Sequence, residues 1–390
     1  MKKITICLMV FISIFLFSAF SGTIIPASAT SVPGIIPSDK ALCLPGNMET
    51  VTNEDCQVEG PLKNLLALEK VGITFPAAPL PVYPPPYELN SIPFAYAQVS
   101  NDAVPLYATI EDAIADHSTR TLRASRIKYV SLLQKKSTES GLFYQISTSE
   151  WISADVIKKV GIQSFQGFLF KKNPTLSFGW ILSETKSRKN PESSSEENER
   201  IYSRFNIVRI YDSKVENEIE WVMVGPNEWI EHRFISRVTP RYEKPPEVIS
   251  DRWIEINLYE QVLIVHEKDR IVFATLISTG VDPFFTQPGV FKIYKKIVNE
   301  YMRGAFEPDR SDYYYLEDVP FIMYYDQSRA LHGAYWNTLF GYQRSHGCVN
   351  LSVADSHWLY DWANMGDFVY VWDPSGKTPT DPSLYGAGGF

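Results

Sequence analysis

The strongest constraint on the fold is a two-residue alternation of apolar and polar side chains that begins near Trp253. Here Ile254, Ile256 and Leu258 face one way and the residues between them face the other, as in a strand with one buried face. Further short apolar runs follow at 262–265, 271–276, 290–294, 319–325 and 368–372. Turn signals such as Pro288-Gly289 separate these runs. The pattern predicts a mainly β domain over residues 250–373.

One helix is predicted within this domain, directly after Cys348. Ser352 is a suitable N-cap, with Asp355 at the third helical position, and apolar residues at 354, 358, 359 and 362 give the helix one apolar face. Aromatic residues make up 14% of the chain, which favours strands over helices elsewhere. The length of 390 residues is enough for two to four domains.

Residues 1–29 have the pattern of a secretory signal peptide. Lys2 and Lys3 precede an apolar run at 4–20, and Ala27-Ser28-Ala29 fits a cleavage site. An uncleaved anchor is the alternative, and no later segment is apolar enough to span a bilayer. We therefore expect an exported protein, in the cell wall, the periplasm or the extracellular space, without a stable membrane span after cleavage.

The charge of the chain argues against a nucleic-acid partner. Loss of the two signal-peptide lysines changes the formal net charge from −8 to −10. The sequence has no basic stripe that could neutralise a phosphate backbone.

Residues 30–96 are predicted to be a linker region that carries a cysteine pair. Cys43 and Cys56 could form a disulfide in an oxidising compartment, or remain two independent thiols. Residues 74–93 are so rich in proline that they favour extended polyproline structure, and we predict a semi-rigid spacer.

A weak repeat lies between this linker and the C-terminal domain. Residues 144–152 read YQISTSEWI and residues 222–230 read VMVGPNEWI. This pattern resembles bacterial SH3-like domains, and we predict one or two such small β-barrels at 97–160 and 161–245. One larger irregular β domain is the alternative. Residues 186–200 have no apolar side chain except Pro191 and are predicted to be a disordered insertion, and residues 374–390 a flexible tail.

The chemistry is concentrated in HGAYWNTLFGYQRSHGCVN, residues 332–350. Cys348 is a nucleophile candidate, since a thiolate is the reactive form and needs a neighbouring base or backbone dipoles. His332 is expected to be this base, because His346 stands only two residues before the thiol on a tight turn. Gly347 lets the backbone bend so that its N–H groups can form an oxyanion hole.

This stretch resembles the catalytic domain of YkuD-type L,D-transpeptidases. The resemblance rests on His332 and on Ser345-His346-Gly347-Cys348-Val349-Asn350, with Pro288-Gly289 among the supporting motifs, and it covers residues 250–373. It implies a YkuD-like β-sandwich with a helix after the nucleophile. Some members place serine after the base histidine. Here Gly333 offers only its backbone carbonyl as the third member of the triad.

The resemblance also implies peptidoglycan chemistry. Cys348 would attack the tetrapeptide donor of one stem, and the amine of an acceptor stem would resolve the thioester as a 3→3 cross-link. Carbapenem-type inhibitors would acylate the same thiol, and we expect no cofactor and no metal. The candidate catalytic residues are Cys348, His332, Gly333, Ser345, His346 and Gly347. The candidate substrate-binding residues are Met323, Tyr335, Trp336, Arg344 and Asn350, with Tyr313–Tyr315 as further candidates.

Three alternatives remain at this stage. Water as the acceptor would make the protein an L,D-carboxypeptidase. A zinc hydrolase could use His332, His346 and Cys348 as ligands, although no H-E-x-x-H or paired Cys-x-x-Cys motif is present. A non-enzymatic wall-binding protein would use the SH3-like modules alone.

Overall fold

The computed structural model describes residues 82–174, 177–241 and 243–386. The predicted signal peptide, Cys43, Cys56 and the first part of the proline-rich segment lie outside these ranges. Within them, no helix has both the length and the apolar character needed to cross a bilayer.

The described residues form mainly β structure with two short α-helices, α1 (Ile110–Ile114) and α2 (Val353–Trp362). Upstream of residue 250 the strands are β1 (Val82–Tyr83), β2 (Ala95–Val99), β3 (Val104–Leu106), β4 (Arg120–Leu122), β5 (Ile127–Thr138), β6 (Gly141–Ile146), β7 (Trp151–Ser153), β8 (Ile157–Val160), β9 (Phe168–Phe170), β10 (Phe178–Ile181), β11 (Thr185–Arg188), β12 (Glu197–Tyr202), β13 (Ile207–Arg209), β14 (Asp212–Glu216), β15 (Ile219–Gly225), β16 (Glu228–Glu231) and β17 (Ile235–Val238). The remaining strands are β18 (Arg252–Asn257), β19 (Val262–Glu267), β20 (Arg270–Leu276), β21 (Gly289–Lys292), β22 (Lys295–Gly304), β23 (Tyr314–Asp326), β24 (Arg329–Gly333), β25 (Val349–Leu351) and β26 (Phe368–Trp372).

Two sheets form the sandwich that was predicted for the C-terminal domain. One sheet has the order β1-β9-β20-β19-β18-β26-β21, and the other has the path β25-β24-β23-β5-β2-β8 with β22 beside β23. Ile254 and Ile256 of the first sheet share a buried core with Met323, Leu331 and Leu351 of the second. The alternation that begins near Trp253 is therefore the inward and outward alternation of a sandwich strand.

The predicted helix after the nucleophile is confirmed as α2. Ser352 caps it, because the Ser352 hydroxyl accepts a hydrogen bond from Asp355 N at 3.1 Å. Leu359 joins the sandwich core, and the Trp358 ring stacks on Phe273 with 4.3 Å between ring centroids. Helix α2 therefore lies against the sandwich and fixes the position of β25, which precedes it.

Strands of the predicted first SH3-like segment continue the second sheet of the sandwich. Strand β5 pairs in parallel with β23, with Ile127 opposite Tyr314. The buried Glu317 carboxylate of β23 accepts hydrogen bonds from Ser131 N at 2.9 Å and Ser147 N at 3.1 Å. Strands β2, β5 and β8 thus belong to the same hydrogen-bonded sheet as β23, whereas β9, just beyond the predicted boundary at residue 160, belongs to the first sheet. The SH3-like resemblance itself stays a prediction.

The second segment packs on the outer face of the first sheet. Phe178 and Trp180 of β10 share a buried cluster with Ile264 and Leu276 of the sandwich. Asp355 adds a hydrogen-bonded link, since its carboxylate accepts from Gly167 N at 2.9 Å and from Thr275 Oγ1 at 2.6 Å. Burial raises the pKa of Asp355 to about 6.

Three expectations about irregular segments differ from the structure. Residues 186–200 were predicted to be disordered, but β11 and β12 pair as a hairpin held by an Arg188–Glu197 ion pair of 3.1 Å. The end of the proline-rich spacer forms β1, which pairs with β9. The described part of the predicted flexible tail contacts the domain, because Arg329 Nη2 donates to Gly386 O at 3.1 Å. Polar cross-strand and backbone partners, which composition does not reveal, order these segments.

Candidate active site

The loop before Cys348 is held by a closed set of hydrogen bonds. Gly347 has a φ of +112°, which L side chains rarely adopt, so glycine is required there. The Ser345 hydroxyl accepts from Gly347 N at 3.1 Å and donates to Cys348 O at 2.5 Å. Thr286 Oγ1 donates to Gly347 O at 2.8 Å and accepts from Gly280 N at 2.9 Å.

The predicted oxyanion hole uses successive backbone N–H groups of this turn. Of these, the Gly347 N–H donates to Ser345 Oγ and so serves the turn. Ser345 and Gly347 therefore shape the loop that presents Cys348. The turn thereby holds Cys348, the candidate nucleophile, in a defined position.

The Cys348 thiol is partly exposed and lines a cavity. Its surroundings favour the neutral thiol, because burial raises the pKa of Cys348. A backbone hydrogen bond from Ala330 and the positive charge of Arg329 lower that pKa and partly offset the effect of burial. Arg329 is itself buried and pairs with Asp326 at 2.8 Å.

His332 lies on β24 and faces the same cavity. Strand β24 pairs in parallel with β25, with His332 opposite Asn350. The His332 Nδ1 atom lies 3.2 Å from Gly333 O, which fits an Nδ1–H donor and leaves Nε2 free to accept a proton. Burial lowers the pKa of His332 to about 4, so the imidazole is neutral at pH 7. The sequence prediction of His332 with the Gly333 carbonyl matches this geometry.

Steric crowding explains why residue 333 is glycine. A Cβ atom there would lie 2.6 Å from Ser356 Oγ and 2.9 Å from Pro320 Cγ, which are closer than side-chain contacts allow. A serine, which some family members have at this position, would fit only with a shift of the Ser356 and Pro320 side chains. The backbone carbonyl is therefore the orienting group that this chain can offer.

His346 lies at the cavity wall within a group of aromatic rings. Its ring stacks on Phe306 with 5.6 Å between centroids and contacts Phe284 at 4.9 Å and Tyr314 at 5.6 Å. His346 Nε2 lies 4.0 Å from an Asp312 oxygen. Burial lowers the pKa of His346, and Asp312 opposes this effect. His346 thus packs as a wall of the site, and His332 is the better candidate for the base.

The structure divides the candidate substrate-binding residues into two groups. Trp336, Arg344 and Asn350 line the cavity with Cys348, as does Tyr314 at the start of β23. Met323 and Tyr335 do not line it, and assigning them to the substrate was wrong. Met323 faces the sandwich core, and the Tyr335 ring stacks on Tyr96 at 3.4 Å. Both are apolar side chains on the inward side of their elements.

Several cavity residues were not predicted from the sequence: Ile127, Met302, Phe306, Leu316, Ser328 and Arg329. Ile127 comes from β5, more than 200 positions before Cys348, and only the sheet pairing reveals it. Arg329 has a local signal, since a charged residue stands three positions before His332 on a strand of apolar residues. Its pairing with Asp326 across the β23–β24 turn makes its burial possible.

The described residues contain no group of three or more His, Cys, Asp or Glu side chains arranged to hold a metal ion. The three ligands that a zinc hydrolase would have used do not meet as such a group. His332 hydrogen-bonds its own strand, and His346 packs among aromatic rings.

Comparison with known proteins identifies the C-terminal domain. Residues 251–371 match the YkuD family, an L,D-transpeptidase catalytic domain. YciB of Bacillus subtilis (strain 168), a proposed L,D-transpeptidase, is 24% identical over 131 residues, which are 28% of this chain and 59% of YciB. This chain thus spans about three fifths of the length of that curated relative.

Solved structures give partial matches to the same region. The L,D-transpeptidase of Stackebrandtia nassauensis is 28% identical over 32% of this chain and 56% of that chain, with a TM-score of 0.26. The catalytic domain of the Enterococcus faecium L,D-transpeptidase, solved as acylated by ertapenem, is 24% identical over 32% of this chain and 98% of that chain, with a TM-score of 0.29. The family match alone identifies residues 251–371 as an L,D-transpeptidase catalytic domain of the YkuD type.

Proposed function

We propose that the chain built around this catalytic domain is an exported peptidoglycan L,D-transpeptidase, which forms 3→3 stem-peptide cross-links through a thioester on Cys348. One observation supports the proposal most strongly. Cys348, at the end of a hydrogen-bonded turn, shares a cavity with a neutral histidine whose Nδ1 is engaged by a backbone carbonyl. This is the arrangement of nucleophile, base and orienting group that acyl transfer requires.

In the first half-reaction, His332 Nε2 takes the proton of the Cys348 thiol as the sulfur attacks the carbonyl of the third stem residue. The C–S bond forms while the carbonyl oxygen takes up the electron pair. The tetrahedral intermediate then collapses, the amide C–N bond breaks, and His332 returns the proton to the departing terminal D-alanine. The product is a thioester and free D-alanine.

In the second half-reaction, the side-chain amine of an acceptor stem attacks the thioester. His332 accepts a proton from that amine, the new amide bond forms, and the C–S bond breaks to release the sulfur. His332 then reprotonates Cys348. One imidazole therefore serves as base and acid in turn, which requires that it be neutral at the start of each half-reaction.

The electrostatics of the site support proton transfer at the moment of attack rather than a resting ion pair. Burial lowers the pKa of His332 to about 4 and raises that of Cys348. Both shifts favour the neutral forms, because a low-dielectric site penalises charge. The positive charge of Arg329 opposes the shift of the thiol pKa.

The same thiol is the proposed target of carbapenems, since the Enterococcus faecium domain was solved as acylated by ertapenem. Export and action at the cell wall belong to the same proposal. They are supported by the signal-peptide pattern of residues 1–29 and by the substrate class of the family.

The experiment is incubation of the purified protein with a disaccharide-tetrapeptide, followed by mass analysis of the products. A cross-linked dimer with release of D-alanine is the expected result. A tripeptide without dimer would make the protein an L,D-carboxypeptidase instead. Unchanged substrate under conditions in which the protein is folded would contradict the enzymatic function.

A further inference from the structure

A second cavity, of about 530 Å³, opens beside the active-site cavity. Ile127 and His346 form part of both cavities. The other residues that line the second cavity are Asn101, Ala124, Ser125, Arg126, Ser311, Asp312 and Tyr313. It therefore lies where the loop between β4 and β5 meets the loop before β23. The first loop precedes the part of the chain that matches the family, and the second loop belongs to that part.

Hydrogen bonds fix the two walls of this cavity relative to each other. The Ser125 hydroxyl donates to Tyr313 O and accepts from Ile127 N at 3.0 Å. Immediately beyond, β5 and β23 pair in parallel from Ile127 and Tyr314 onward. The cavity is thus a built junction between the upstream strands and the catalytic domain.

Several arginines lie around the junction, although the whole chain carries a net charge of −8. Arg126 lines the cavity, and Arg123 stands three residues earlier on the same loop. Burial raises the pKa of Tyr313, and the positive charges of Arg303, Arg120, Arg310 and Arg123 oppose that shift. These arginines therefore lie close enough to Tyr313 to act on its hydroxyl group.

Most of these guanidinium groups have no carboxylate partner in the part of the chain that the structure describes. Arg120 pairs with Glu150 at 2.5 Å. Arg123, Arg126 and Arg310 are exposed and form no ion pair within the described residues. Asp312, the carboxylate in the cavity wall, accepts instead from Phe306 N and Glu307 N at 2.7 and 3.1 Å.

Arg123 directly precedes Ala124 and Arg310 directly precedes Ser311, two residues that line the cavity. We propose that this cavity, with Arg126 in its lining and Arg123 and Arg310 next to lining residues, is an anion subsite that binds a carboxylate of the donor stem peptide. A guanidinium group presents paired donors that match a carboxylate. The third-residue carbonyl must reach Cys348, and adjacent peptide residues are about 3.5 Å apart. A carboxylate within two or three residues of that carbonyl can therefore reach the neighbouring cavity.

This inference rests on the proposed function for the identity of the peptide, and it assigns the upstream strands a role in substrate recognition. Since Arg123, Arg126 and Arg310 are not among the residues that line the cavity with Cys348, they act on substrate affinity rather than on the chemical step. Uniform binding of this kind changes KM while leaving kcat in place.

The test compares binding and turnover in arginine variants. In a Cys348→Ala background, binding of the disaccharide-tetrapeptide and of its carboxamide form is measured by calorimetry. R123Q/R126Q/R310Q should weaken binding of the carboxylate form about 10-fold or more, and change binding of the carboxamide form less than about 2-fold. In the active enzyme the triple variant should raise KM by a similar factor, with kcat within about 2-fold.

Lys136→Gln provides the matched control. Lys136 is an exposed cation on the same strand β5, nine residues beyond Ile127, or about 30 Å along the strand. The Lys136→Gln substitution changes the net charge of the protein by one unit at a position far from the cavity. The affinity of this variant for the tetrapeptide should equal that of the parent protein within error.

Two results would overturn the subsite. One is equal loss of affinity for the carboxylate and carboxamide peptides, and the other is arginine-dependent binding of a polyglycerol phosphate chain with unchanged peptide binding. The proposed function has a separate outcome. If the protein with Cys348 intact releases no D-alanine while arginine-dependent peptide binding persists, the subsite stands and the transpeptidase function fails.

Discussion

The two walls of the active-site cavity are built in different ways. On the wall that matches the catalytic family, Ser345, Thr286 and Gly347 hydrogen-bond one another, and His332 Nδ1 lies by Gly333 O. On the upstream side, Arg123 and Arg126 lie by the neighbouring cavity and have no carboxylate partner among the described residues. The comparison indicates that the groups assigned to chemistry are held by internal bonds, while the charges assigned to recognition are left for a ligand.

The largest effect should come from the nucleophile. We expect Cys348→Ala to lower D-alanine release by about 10⁴-fold or more, because no other group in the cavity can form the thioester. Release of D-alanine is measured in a coupled assay, and circular dichroism checks that the variant is folded. If the folded Cys348→Ala protein retained substantial activity, Cys348 would not be the nucleophile.

Replacement of the base is the next largest change. His332→Gln should lower kcat by about 10²- to 10⁴-fold, since it removes the proton acceptor while keeping a polar side chain.

Alkylation of Cys348 by iodoacetamide in the parent protein should be slow at pH 7 and accelerate toward alkaline pH, because burial raises the pKa of the thiol. A pH-independent alkylation rate from pH 5 to 8 would instead show a resting thiolate.

The junction between the walls should give a pH-dependent stability. Burial raises the pKa of Glu317 to about 7, above the unfolded value of 4.5. Its contribution is therefore complete below about pH 4.5 and is lost as the pH rises through 7, by at most about 3 kcal/mol. Glu317→Gln should reduce the fall in free energy of unfolding between pH 5 and 8, as measured by urea denaturation.

Asp355 offers an independent comparison for that result, because burial raises its pKa to about 6. Asp355→Asn should therefore remove the part of the fall in free energy of unfolding that is complete by about pH 6, whereas the part due to Glu317 continues to about pH 7. If the parent and the Glu317→Gln protein lose stability equally over the whole range, the buried carboxyl does not link the upstream strands to the sandwich in the way described.

A smaller effect is expected at the loop that presents the thiol. Thr286→Val removes the hydrogen bonds to Gly347 O and from Gly280 N, and should cost about 1–2 kcal/mol of stability. Activity should fall about 10-fold because the turn becomes less well fixed. The exposed Thr239→Val serves as the matched substitution, and both are compared by thermal unfolding and turnover. Equal behaviour of the two variants would contradict the role given to Thr286.

Much of the catalytic wall could be predicted from the sequence because its signals are local. The two-residue alternation indicated the sandwich strands, Ser352 with Asp355 indicated α2, and the spacing of His332 and Cys348 indicated the site. A short motif can carry this information because its residues are hydrogen-bonded to neighbours close in the chain. The use of the Gly333 backbone carbonyl could also be predicted from the sequence. The crowding by Ser356 and Pro320 at this position could be seen only in the structure.

The other wall could not be predicted, because its contacts join residues that are distant in the chain. Ile127 reaches the cavity through parallel pairing with Tyr314, which no local pattern encodes. Met323 and Tyr335 were assigned to the substrate because they stand near the motif, whereas their orientation in the strand and loop directs them to the core. The hairpin of β11 and β12 was missed since its stabilising partners are polar.

The most direct test of the central claim is intact-protein mass spectrometry of the enzyme mixed with a disaccharide-tetrapeptide donor and quenched in acid. The account predicts an adduct equal to the donor minus its terminal D-alanine, located on Cys348 and released by hydroxylamine as a thioester. Steady release of D-alanine while Cys348 remains unmodified, with equal release by the Cys348→Ala protein, would contradict it.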